Sequence, residues 1–225
     1  MVGSGERHMT NPPGALRLVL VPAVVCLLVS VARVLGEVQG WAPLWFGEKG
    51  KGGGALVGIS WLIPVFGFWF GWKHARAGQG PALRGRAVWL PLVAFVLIFA
   101  WFGISTQLLK LSFVPSLLGV AIVAAIAGLL AALAWPRLAW TTFLFGVFAR
   151  VPVVGIIYLA AARNWDVHYL VMPPNAPQDM PMNEKAFYLS VAQLVFWVPG
   201  TMILGGFFGG LAALVSGRGR APGSA

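Results

Sequence analysis

One arginine, Arg150, stands in the middle of a nearly unbroken apolar run, FLFGVFARVPVVGIIY, at residues 143–158. A guanidinium is charged at any ordinary pH and carries five N–H donors, so in hydrocarbon it needs acceptors, an anion or a route to water. Three arrangements answer that need. Arg150 can clamp backbone carbonyls and polar side chains such as Gln193 or Thr201. Pro152 assists this reading, because it has no N–H to bond the Phe148 carbonyl. Arg150 can instead hold an anion or a lipid phosphate in a wet cavity, or snorkel towards the interface. Arg150 and Gln193 are therefore the candidate ligand- or lipid-binding residues.

A second charged group lies near the end of another apolar run, where Arg33 and Glu37 stand four residues apart, the spacing of an ion pair on one helix face. The longest polar connection, RNWDVHYLVMPPNAPQDMPM (163–182), offers His168 with Met172, Met180 and Met182 as soft copper(I) ligands, or Asp166 with His168 for proton transfer. The spacing is undistinctive and His74 falls on the opposite side of the membrane, so the connection reads as a plain loop with Trp165 and Tyr169 as interfacial anchors. Cys26 is the sole cysteine and sits in an apolar run, where it reads as a small core residue. WFGEKGKGGGA (45–55) lacks the spacing of a phosphate-binding loop. No His-Glu-x-x-His, no Gly-x-Ser-x-Gly and no intramembrane carboxylate pair occurs. Three histidines split between two faces cannot ligate haem in pairs. The expectation is a protein without catalytic centre, metal or cofactor.

The elements that must position these residues are set by composition. Hydrophobic residues make up 59% of the 225 and charged residues 10%, well below the quarter a soluble domain carries. Mean hydropathy is +0.82. Such a chain is an all-α, polytopic membrane protein, a single integral domain across residues 1–225 with about six transmembrane helices. The spans read as 16–35, 55–72, 87–105, 113–135, 138–162 and 187–215. Placing the fifth at 138–162 avoids burying Arg163 and Asp166 together.

The net charge of +10 sits at segment ends, where it meets anionic headgroups; the partners it implies are membrane lipids, not nucleic acid. Arg7, Arg17, Lys73, Arg76, Arg84, Arg86, Arg137, Arg218 and Arg220 fall on one side; Arg33, Lys49, Lys51, Lys110, Arg163 and Lys185 fall on the other. The positive-inside rule makes the first side cytoplasmic, with both termini inside a bacterial inner membrane. A rival reading treats the first segment as a cleaved signal peptide, cut after Ser30 and Ala32.

In lipid, helices associate through small residues. Gly205, Gly206, Gly209 and Gly210 in the last span, Gly67 and Gly71 in the second, and Ala124, Gly128 and Ala132 in the fourth supply such faces. They serve intramolecular packing or, for GGFFGG, a homodimer; other membrane proteins are further possible partners. Pro64 and Pro152 lie deep in the second and fifth spans, as kinks. LVPAVV with FVPSLL, and LIPVFG with RVPVVG, suggest an inverted three-plus-three duplication. The functional expectation is a non-catalytic structural or accessory membrane component. The alternative is a small solute or ion transporter or channel with Arg150 near the pathway. A lipid-directed enzyme using Asp166 and His168 ranks third, for want of a nucleophile.

Overall fold

The computed structural model describes residues 14–47, 56–173, 176–177 and 179–216. Arg7, Lys49, Lys51, Arg218, Arg220 and most of the 45–55 connector lie outside the described residues. Every regular element among them is helical. In chain order these are α1 (Ala15–Gln39), the single turn α2 (Pro43–Phe46), α3 (Leu62–Arg76) and α4 (Arg84–Gly103), which runs on as a π-helical turn (Ile104–Leu108). Then come α5 (Phe113–Ala134), α6 (Pro136–Ala162), a 3-10 turn (His168–Leu170), α7 (Met182–Val195) and α8 (Trp197–Val215). Five stretches are long and apolar enough to cross a membrane: α1, α4 with its π turn, α5, α6, and α7 with α8.

The helices turn their bulk outwards. α5 exposes Leu118, Ile122 and Leu129 while burying Ser116, Ala124, Ala127, Gly128 and Ala131. That is the pattern of a helix with lipid on one side and close neighbours on the other. Contacts fix the directions. Gly67 lies on Gly205 and Gly71 on Gly209, so α3 runs parallel to α8. Gly206 meets Pro91 and Gly210 meets Ala87, so α4 opposes α8; Gly205 meets Thr142 and Gly209 meets Leu138, so α6 opposes it too.

All four glycines of GGFFGG thus meet α3, α4 or α6 of the same chain. A methyl group on Gly67 or Gly71 would strike the backbone of α8, so glycine is required at that crossing.

Several expectations need correction. The second span was expected at 55–72; the helix occupies Leu62–Arg76, only 15 residues, with turns before it. At 1.5 Å per residue it covers about 22 Å, short of the roughly 30 Å hydrocarbon core. Pro64 therefore falls in the first turn of α3, where its missing N–H interrupts no helical bond, and it is not a mid-span kink. Pro152 does lie mid-helix, and α6 continues through it without a break.

The expected span 187–215 is two helices, broken at Phe196. Pro199 accounts for the break, since it cannot donate to the Val195 carbonyl. The proposed duplication also fails. Pro22 lies inside α1 but its counterpart Pro115 is in the first turn of α5, and Pro64 opens α3 whereas Pro152 is central in α6.

Candidate functional site

Two buried arginines define the polar interior. Arg150, 5% exposed, projects from α6 towards α7 and the start of α8. Its Nη1 donates to Gln193 Oε1 at 3.2 Å, and its guanidinium carbon lies 4.4 Å from the centre of the Trp197 ring. Gln193 and Trp197 are one helical turn apart, so they present an acceptor and an aromatic face to the same cation. The break at Phe196 falls between them. Of the partners read from the sequence, Gln193 is in place. Thr201 is not: its hydroxyl donates to the Trp197 carbonyl at 2.7 Å. Snorkelling is excluded by the burial.

Arg33, 8% exposed, is held differently. Its Nε donates to Glu37 Oε1 at 3.0 Å, and the Glu37 side chain is fully buried. The other carboxylate oxygen accepts the His168 backbone N–H at 2.8 Å, while His168 Nδ1 contacts Oε1. α1 runs one turn past the end expected for it, to Gln39, which keeps Glu37 helical and i+4 from Arg33. His168 therefore pairs with Glu37, not with Asp166 as a catalytic dyad would need. Its imidazole titrates below the ordinary histidine range, chiefly because burial disfavours the charged ring; Arg33 lowers it further, and Glu37 opposes both.

Tyr169 joins the two clusters. It lies beside Ser30 and within electrostatic reach of Arg33, Glu37 and Arg150. A polar lane thus descends from His168 at the loop to Arg150 at mid-helix along the seam of α1, α6 and α7. Among the described residues Arg33 Nη2, Arg150 Nε and Ser190 Oγ are buried polar atoms without a hydrogen-bond partner. Among the described residues, five surface cavities have linings that do not include Arg150.

At the other end, His74 is buried at the C-terminal turn of α3. Its Nδ1 lies 3.1 Å from Gln79 Oε1 and its Nε2 2.9 Å from Thr141 Oγ1.

Trp197 is the site residue that sequence reasoning missed; His168 and Tyr169 were named, but as members of a plain loop and its interfacial anchor. A trace of Trp197 was readable, since it follows Gln193 by four residues. No local signal couples His168 to Glu37, 131 positions away. Among the described residues no group of three His, Cys, Asp or Glu could hold a metal ion. No known protein family, characterised protein or solved structure matches the chain, so its function rests on the geometry of these two clusters.

Proposed function

We propose that the chain is a non-catalytic structural or accessory component of a bacterial inner membrane, its bundle fastened internally by buried cation contacts. The observation that carries this reading is the placement of Arg150. Its charge meets an amide oxygen and a tryptophan face supplied by the broken α7–α8 unit. A cation–π contact in a desolvated site contributes about 2 kcal/mol, and a hydrogen bond from a charged donor about 1.5–3 kcal/mol. The arginine-rich side is taken as cytoplasmic by the positive-inside rule, with both ends of the described bundle there.

The test is Arg150→Ala, together with purification in mild detergent. The expected results are a loss of about 2–4 kcal/mol of unfolding free energy and co-purification of the wild-type chain with a membrane partner. A second reading, a transporter or channel for an anionic solute, has one observation in its favour: Arg150 Nε and the Ser190 hydroxyl are buried without partners. If Arg150→Ala melts like the wild type but loses an anion-dependent stabilisation, that reading replaces the first.

A further inference from the structure

The arginine-rich end of the bundle holds a cavity that neither buried arginine cluster uses. It encloses about 470 Å³ between the α3–α4 connection and the α5–α6 turn, lined by Gln79–Leu83, Arg86 and Leu133–Arg137. Its walls are of two kinds. Pro81, Leu83, Leu133 and Pro136 are apolar, and Leu83 and Leu133 are more than half exposed where lipid would surround the bundle. Arg86 and Arg137 are exposed and both are among the residues lining the cavity.

The walls are fixed before any ligand arrives. Trp135 Nε1 donates to the Gln79 carbonyl at 2.9 Å, the Gln79 N–H donates to the His74 carbonyl at 2.9 Å, and His74 holds the Gln79 side chain. Gly78, at φ 72°, allows the reversal that brings Gln79 back onto His74. Charge points to one kind of occupant. Among the described residues every carboxylate (Glu37, Asp166, Asp179, Glu184) belongs to α1's far end, the 163–182 loop or the start of α7. None is on this end to neutralise Arg86 or Arg137.

We infer that this cavity binds the phosphate of an anionic phospholipid in the adjacent leaflet. Arg86 and Arg137 grip the phosphate, and the glycerol and first methylenes lie on Leu83 and Leu133. Basic pockets between helix ends suit such headgroups, each arginine contributing roughly fivefold in affinity near a charged membrane surface. Arg76 provides an internal control: it is on the same end, stacks 4.8 Å over the Trp72 ring, and does not line the cavity.

The experiment measures lipid retained on the detergent-purified full chain by native mass spectrometry. Phosphatidylglycerol, phosphatidylcholine and inorganic phosphate are added separately. The expected result is phosphatidylglycerol retained on the wild type, weakened about fivefold in Arg86→Gln or Arg137→Gln and about twentyfivefold in the double variant, with Arg76→Gln unchanged. The thermal midpoint of each variant without lipid establishes that it is folded, and Arg137→Lys, which keeps the charge, should lose less than Arg137→Gln. Equal loss in Arg76→Gln would reduce the effect to general surface charge and overturn the site. Equal retention of phosphatidylcholine would overturn the charge argument. Protection by inorganic phosphate alone would make the ligand a soluble anion and overturn the lipid assignment.

Discussion

Arg33 and Arg150 are the same residue buried to nearly the same degree, yet the protein answers their charges in opposite ways. Arg33 is met by a carboxylate, Glu37, which is met in turn by the backbone and ring of His168. Arg150 is met by no carboxylate among the described residues; it has an amide oxygen and an indole face. Depth explains the difference. Arg33 and Glu37 stand in the last turns of α1, where a loop can fold over a full ion pair and hydrogen-bond its outer oxygen. Arg150 is central in a 27-residue helix. A carboxylate brought to that depth would add its own desolvation cost, several kcal/mol for an ion in an apolar interior. A dipole and a quadrupole answer the cation without burying a second charge.

The largest effect should therefore come from removing the one buried anion. Glu37→Gln keeps the shape of the side chain but leaves Arg33 buried beside a neutral group and deprives the His168 N–H of a charged acceptor. Breaking one partner of a buried pair costs about 3–5 kcal/mol. Unfolding in mixed micelles should record a loss of that size. Replacing both partners, Arg33→Met with Glu37→Leu, should recover most of it, because the pair as a whole contributes little against apolar residues of similar volume. A single variant as stable as the wild type would mean that Arg33 finds water from the loop side, and the contrast between the two arginines would collapse.

Gln193→Leu should cost less, about 1.5–3 kcal/mol, the range for a hydrogen bond to a charged group. It leaves Arg150 with the Trp197 face alone. A double-mutant cycle between Arg150→Met and Trp197→Leu sharpens the comparison further, with an expected coupling of about 2 kcal/mol if the ring contact is desolvated. Zero coupling would make the indole a mere filler of space. The corresponding cycle between Arg33→Met and Glu37→Leu should give the larger coupling energy.

These contrasts were only partly legible in the sequence. Arg150 within its apolar run and the i,i+4 pair of Arg33 and Glu37 are local features, and a helical membrane bundle follows from hydropathy alone. α5 fell within one residue of its expected bounds, 113–135 against Phe113–Ala134, because Ser112 and Pro136 bound an apolar run whose one polar residue is Ser116. The start of α3 was misplaced because turn-forming residues and apolar residues mix before Leu62, and hydropathy does not register a turn. The break at Phe196 falls within the apolar stretch LVFWV, and Pro199 was its one signal. The glycines of α3 and α8 were each visible as notches, but their mutual register, Gly67 on Gly205, is a property of the assembled bundle. His168 was named but given the wrong partners, since Glu37 lies on another element.

The smallest expected effect concerns that histidine and tests whether the Glu37 cluster also fastens the loop. Burial holds the His168 imidazole below its ordinary value near 6.5, so the unfolded chain takes up this proton before the folded one does. The linked stability is then complete above pH 6.5 and is lost as the pH falls from there towards the depressed folded value. One such group changes stability by at most about 1.4 kcal/mol per pH unit. Glu37, Arg33 and Tyr169 are the titratable neighbours that face it. Between pH 7.5 and 5.5 an ordinary carboxyl and a phenol change little, which isolates the imidazole. Protection of the amides in residues 165–171, the intrinsic rate at each pH divided by the observed rate, should fall over that interval in the wild type and stay flat in His168→Gln. Protection that instead rises on acidification would mean that the protonated ring is the form gripping Glu37, making the cluster an ion triad and widening its difference from Arg150.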